Sequence, residues 1–188
     1  MTPPRGAAAI LLARHGETND NLSPLRFQGF TDTPLNEHGR LQAAKLGERV
    51  ASIGIASLWS SDLARAHETA RIVGRWLSLS PRLDPRLREG YRGRWEGRLF
   101  IDVAHDEPAR YAAWQHAGDE FRFPGGESLR DQLDRVSAAL QDVRRSGELP
   151  ALVVCHGGSI RVMLSLADPR GLSAFHDFRV PNVDVVSL

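Results

Sequence analysis

Two apolar runs, far apart in the chain, end in the same way, and no other feature limits the possible folds as much. Ala8–Leu12 leads into Arg14-His15-Gly16, and Ala151–Cys155 leads into His156-Gly157-Gly158. A continuous apolar run of this length suits a strand buried on both faces, as in parallel sheets covered by helices. Strand-like and helix-like segments alternate along the rest of the chain. Asn36 is placed to cap a helix that buries Gly39, Ala43, Leu46 and Val50. Ile55–Trp59 reads as a second strand, and Ala66, Ala70, Val73 and Leu77 then recur at helical spacing. The clearest helix carries Leu129, Leu133, Val136, Leu140 and Val143, and Val183–Leu188 reads as a last strand. This order predicts an α/β sandwich with a mainly parallel sheet.

The 188 residues fit one domain spanning 1–188. Pro81–Pro124 is less regular and holds Tyr91, Trp95, Phe100, Tyr111, Trp114, Phe121 and Phe123. It reads as a loop-and-helix cap over the sheet, centred on about residues 98–124. The formal net charge of +1 argues against bulk electrostatic partners, so neither nucleic acid nor a membrane surface is expected. Any anion must be recognised locally. Cys155 is the single cysteine, which excludes an intrachain disulfide framework and suggests an intracellular setting. Ala7–Ala13 is too short to span a membrane and lacks the features of a signal segment. A cytoplasmic location is therefore expected.

In open α/β sheets ligands sit beyond the carboxyl ends of strands. If the two runs are neighbours, His15 and His156 reach one pocket. The adjoining glycines allow close approach of backbone to ligand, and a helix beginning after Gly158 would aim its N-terminus at an anion. A single His-Gly pair is more often a turn or a helix cap; two at matching strand ends carry more weight.

The surrounding residues sharpen this. Arg14-His15-Gly16-Glu17-Thr18, with Asn21 further on, resembles the Arg-His-Gly signature of the histidine phosphatase superfamily, which includes the cofactor-dependent phosphoglycerate mutases. Phe27-Gln28-Gly29-Phe30-Thr31-Asp32 is similar to its phosphate-contacting loop. Leu35, Gly39, Gln42 and Ala43 resemble the helix that follows, and Ser60–Ala66 with Thr69 its second-arginine motif. Glu89 with Gly93–Gly97 resembles its acid loop, and Gly125-Gly126-Glu127-Ser128 and His156-Gly157-Gly158 complete the set in order. The resemblance implies a three-layer α/β/α sandwich of the phosphoglycerate mutase type.

It also implies roles. His15 would be the nucleophile, with one ring nitrogen held by a backbone carbonyl at Gly16. Arg14 and Arg65 would grip the phosphoryl oxygens, which suits the planar fork of a guanidinium. His156 would donate a further hydrogen bond, and Asn21, Gln28, Gly29 and Gly157 would contact phosphate or substrate. Glu89 would be the general acid, its pKa raised by burial and by the substrate's phosphate, with Glu17 as the competing acid. No metal and no cofactor are expected, since His38, His67, His105, His116 and His176 are scattered and read as solvated. Cys155 beside His156 could suggest a thiol pair, but successive strand side chains point to opposite faces, so Cys155 reads as core. Glu127 and Ser128 read as the start of the long helix.

A phosphatase acting on a small-molecule phosphate ester is preferred. The alternatives are a cofactor-dependent phosphoglycerate mutase, an alpha-ribazole phosphatase-type enzyme, and a non-catalytic phospholigand-binding protein. The mutases, as the resemblance implies, carry a longer insert with adjacent arginines, whereas here Arg98, Arg110 and Arg122 stand apart. A homodimer is common in the family and is the partner it allows.

Overall fold

The structure, a computed structural model, describes residues 9–188. Ala7 and Ala8, where the first apolar run begins, lie outside the described residues. Five strands form one sheet in the order β3-β2-β4-β1-β5. They are β1 (Ile10–Arg14), β2 (Ser57–Ser60), β3 (Arg82–Leu83), β4 (Ala151–Cys155) and β5 (Val185–Ser187). All neighbours run parallel except β5, which pairs antiparallel with β1.

Helices cover both faces, which is why β4 is apolar throughout and β1 is apolar as far as Arg14; the buried Ser57 and Ser60 at the ends of β2 donate to backbone carbonyls. Ile10, Leu12, Ala151, Val153 and Cys155 face one way and pack with Val136, Leu140, Val143 and Ile160. The alternate residues Leu11, Ala13, Leu152 and Val154 face the other way, against Leu46, Val50, Ala66, Ala70 and Val73. The first layer comprises α5 (Leu129–Arg145) and α6 (Gly157–Ser165), and the second α1 (Glu37–Val50) and α2 (Ala64–Leu77). The result is the expected α/β/α sandwich. Asn36 caps α1 by accepting from the Gly39 N–H at 2.8 Å, and Ser128 caps α5 by accepting from the Asp131 N–H at 3.1 Å.

Several boundaries differ from expectation, and the second strand runs Ser57–Ser60 instead of Ile55–Trp59. The last strand begins at Val185, because Val183 takes φ 54° and sends its N–H to the Arg14 carbonyl. That left-handed backbone is rare for a β-branched residue and cannot continue a strand. The sixth helix begins at Gly157, with His156 at its cap position.

Between β3 and α5 the chain forms two short helices, α3 (Phe100–Asp106) and α4 (Pro108–Gln115). They are held by an aromatic cluster in which Trp95 and Phe123 are fully enclosed with Phe27 and Val103. The Trp95 indole N–H donates to Glu107 at 3.0 Å, so its one polar atom is satisfied. Among the described residues no helix is long and apolar enough to cross a membrane.

Candidate active site

The register of β1 with β4 sets Arg14 opposite Cys155, and the His15 N–H donates to the Cys155 carbonyl at 3.0 Å. The two histidines thus leave adjacent strand ends together, with ring centroids 5.2 Å apart. Cys155 itself points into the core, where burial pushes its thiol up to about 12, so it has no part in a thiol pair.

His15 is buried and its Nδ1 lies 2.6 Å from the Gly16 carbonyl oxygen. A carbonyl only accepts, so Nδ1 carries the proton and the lone pair sits on Nε2. Burial, then the charges of Arg65 and Arg14, hold the ring well below its ordinary pKa, and the imidazole is neutral at physiological pH. The loop that presents it is pinned from α1 and α2. The Gly16 N–H donates to Thr69 Oγ1 at 3.0 Å and the Glu17 N–H to Gln42 Oε1 at 2.9 Å. Gly16 and Gly39 face each other so closely that a Cβ on either would strike the other segment's backbone.

Arg65 is fully buried, not the surface residue that a helix start would normally offer. Its two terminal nitrogens donate to the Thr31 and Gly29 carbonyls at 2.8 Å each, and its Nε is left without a partner. Burial brings its pKa down to about 10, still a full cation at neutral pH. Arg14 donates to the Val180 carbonyl at 2.8 Å and likewise keeps an unpartnered Nε. His156 places Nε2 at 2.8 Å from Ser61 Oγ and leaves Nδ1 buried and unpartnered. Burial, then Arg65 and His15, hold it neutral as well. Unpaired buried polar atoms are costly, and among the described residues Arg14, Arg65 and His156, the neighbours of His15, each hold one.

A cavity of about 310 Å³ opens beside Arg14 and is also lined by Asn21, Gln28, Gly29, Glu89 and Gly157 among others; His15, Arg65 and His156 are not among its lining residues. Asn21 contacts Gln28 at 3.4 Å, and Gln28 Nε2 donates to Thr18 Oγ1. Phe27, Phe100, Trp114 and Phe175 supply an apolar wall. The cap's aromatics therefore both pack the cap and face the cavity.

Glu89 reaches the cavity, but its charge state differs from expectation. Burial pushes its carboxyl up, yet Arg92 and the Gly158 and Gly90 N–H groups and Gln132 outweigh this and bring it down to about 2. Its Oε2 accepts from the Gly158 N–H at 2.9 Å, and its Oε1 from the Gly90 N–H and Gln132, also at 2.9 Å. Glu89 is thus a carboxylate, seated at the N-terminus of α6 where an anion was expected. Glu17 is elsewhere: its Oε1 accepts from Asn36 at 2.9 Å, and it does not line the cavity.

Several contributors were not anticipated. Arg135 donates to the carbonyls of Arg86, Arg88 and Glu89 at 2.7–2.8 Å and pairs with Glu127 at 2.7 Å. Glu127 Oε2 also accepts the Tyr91 N–H, so Glu127 braces the acid loop as well as preceding α5. Asn182 donates to the His15 carbonyl at 2.9 Å, and Arg92 and Arg161 line the cavity. The doublet Ser60-Ser61 hinted at Ser61; nothing local marks Asn182 or Arg92. His176, expected in solvent, instead lies half-buried and edge-on to Trp114.

A sequence profile of the histidine phosphatase superfamily (branch 1) matches residues 10–188. The chain belongs to the histidine phosphatase superfamily. A Salmonella newport protein named "Probable phosphoglycerate mutase GpmB" is 37% identical over 158 residues, covering 83% of this chain and 73% of that protein. The mycobacterial glucosyl-3-phosphoglycerate phosphatase in complex with VO3 superposes with a TM-score of 0.87 at 29% identity, covering 96% of this chain and 90% of that one. The alpha-ribazole phosphatase from Shigella flexneri does so with a TM-score of 0.82 at 26% identity, covering 95% and 89%. This histidine phosphatase superfamily member thus resembles both mutase-named and phosphatase-named proteins.

Proposed function

We propose that the protein hydrolyses phosphate monoesters of a small metabolite through a phosphohistidine on His15, without a metal ion. The observation that carries this is the neutral His15 ring, its Nδ1–H committed to the Gly16 carbonyl beside Arg14 and Arg65. Nε2 attacks phosphorus in line with the ester oxygen, forming a P–N bond as the P–O bond to the alcohol breaks. Arg14 and Arg65 hold the equatorial oxygens and supply the positive charge the transition state requires, and the neutral His156 adds a hydrogen bond from Nδ1. Glu89 protonates the leaving alkoxide. It then takes a proton from water, whose oxygen attacks phosphorus, releasing phosphate and restoring both His15 and the protonated acid.

Because Glu89 is ionised among its protein neighbours, it must gain a proton as substrate binds. A phosphoryl dianion close by favours this, since like charge disfavours a carboxylate. Asn21, Gln28, Gly29 and Gly157 are assigned to phosphate or substrate contact from their places around the cavity. An intracellular site of action belongs to the same reading.

The mutase reading draws on the GpmB-named relatives. Against it, Arg98, Arg110 and Arg122 are engaged with Asp106, Glu107 and Asp131 on the cap, away from the cavity. Hydrolysis is therefore favoured. The alpha-ribazole phosphatase from Shigella flexneri keeps that class of substrate in view. A binding-only protein has no need of both a free nucleophile and an acid.

The test is hydrolysis of p-nitrophenyl phosphate in excess chelator by the wild type and His15→Ala. Turnover by the wild type alone is expected. Equal turnover by both, or a requirement for added divalent metal, overturns the mechanism; faster phosphoglycerate exchange than hydrolysis overturns the choice of phosphatase over mutase.

A further inference from the structure

The cavity holds more positive charge than one phosphoryl group needs. Arg14 and Arg65 are already assigned to the transferring group, yet Arg92 and Arg161 also line the wall. Arg92 follows Glu89 by three residues and stands over Phe123, its guanidinium carbon 4.5 Å from the ring centroid. Its side chain is 10% exposed. Among the described residues its one carboxylate partner is Glu89, and that contact, at 3.2 Å, is long for a charge-assisted pair. Its Nη1 is buried with no partner at all. Arg161, in the second turn of α6, gives its Nε to the Phe178 carbonyl at 2.9 Å and lies against Phe175. Among the described residues it has no carboxylate within ion-pair distance.

A buried guanidinium with an idle nitrogen and one stretched ion pair is under-satisfied, and holding it there without a function costs stability. Asp20, the other carboxylate that lines the cavity, accepts from Thr33 and is paired with neither arginine. Arg92 and Arg161 line the same cavity as Arg14 and the apolar wall, where the alcohol portion of a phosphate ester would lie.

We propose that Arg92 determines specificity: paired with Glu89 at 3.2 Å, it turns to a second anionic group on the alcohol portion of the substrate, which Arg161 also meets. The group is a carboxylate or a second phosphate, since both accept a guanidinium fork. Loss of the Arg92 contact also removes the strongest influence holding Glu89 ionised, which favours its protonated form. A substrate bearing the second anion would thus both dock and help to load the acid. An ester without it would leave Arg92 on Glu89, with only the phosphoryl charge to favour the protonated acid. The proposal rests on the phosphatase reading above.

The experiment compares kcat/KM for phosphooxypropanoate, its neutral amide and propanediol bisphosphate, with p-nitrophenyl phosphate alongside. Wild type is expected to prefer at least one of the two anionic esters over the amide by about tenfold or more, and the one preferred identifies the group. In Arg92→Met that ratio is expected to fall to about twofold or less, and in Arg161→Met to an intermediate value. The ratio is read within each protein, so a general loss of rate does not obscure it; should Arg92→Met fail to fold, Arg92→Gln and Arg161→Met carry the comparison. Equal rates for all three esters in the wild type, or an undiminished preference in the Arg92 and Arg161 variants, overturn the proposal while p-nitrophenyl phosphate hydrolysis upholds the phosphatase. Failure to hydrolyse any ester takes down both.

Discussion

At the residue scale the account turns on two buried ionisable groups whose charge states are set by their neighbours. Glu89→Gln keeps the shape of the carboxyl but cannot carry a proton back and forth. With alkyl phosphates it should lose about a hundredfold in kcat, and with p-nitrophenyl phosphate about tenfold or less, because a good leaving group needs little protonation. Steady-state rates on the two esters check this; equal losses would assign the acid to another group. His15, Arg14 and His156 were legible in the sequence because strand ends and motif coincide there. Arg65 was legible only through the motif, since a helix-start arginine is ordinarily solvated. The ionised state of Glu89 was not legible. It depends on Arg92, Gln132 and the Gly158 N–H, and the last two arrive from α5 and α6 much later in the chain.

At the scale of elements, α5 acts as the splint of the acid loop. One arginine on it, Arg135, satisfies the carbonyls of Arg86, Arg88 and Glu89 while Glu127 fixes its other edge. Arg135→Lys keeps the charge but loses the fork, and one ammonium cannot span those acceptors. The variant should lose about 2–3 kcal/mol of stability. It should also lose about tenfold in kcat with alkyl esters, with a smaller change for aryl esters. Urea unfolding and the same pair of substrates measure both; an unchanged alkyl-to-aryl ratio would reduce Arg135 to a purely structural role. The periodicity of α1, α2 and α5 was plain because each buries a single stripe. The last strand was harder to bound, since the strained Val183 is apolar like its neighbours and only its backbone angle excludes it. The cap resisted reading because its order comes from aromatic contacts between Phe27 and residues beyond Trp95, not from local pattern.

For the whole molecule, burying two neutral histidines couples stability to pH. The unfolded chain protonates both near 6.5, whereas His15 and His156 are held well below that value when folded. Between those values the unfolded state binds more protons. Stability therefore falls as pH drops below about 6.5, by up to about 1.4 kcal/mol per pH unit for each ring. Glu89 acts in a separate, lower window. Its folded pKa of about 2 lies below its ordinary value of 4.5, so its contribution is present above 4.5 and fades as pH falls toward 2. Urea midpoints between about pH 7.5 and 5 should decline in the wild type and decline less in His156→Gln. Identical slopes would mean that the rings are not buried neutral.

The measurement that bears most directly on the central claim is a rapid quench into alkali during turnover of a labelled phosphate ester. Peptide mapping of the quenched protein would then locate the label. The account predicts a phosphoryl group on the peptide containing His15, absent from His15→Ala and gone once substrate is exhausted. Wild-type turnover with no protein-bound phosphoryl group, or with the label on another residue, would contradict it.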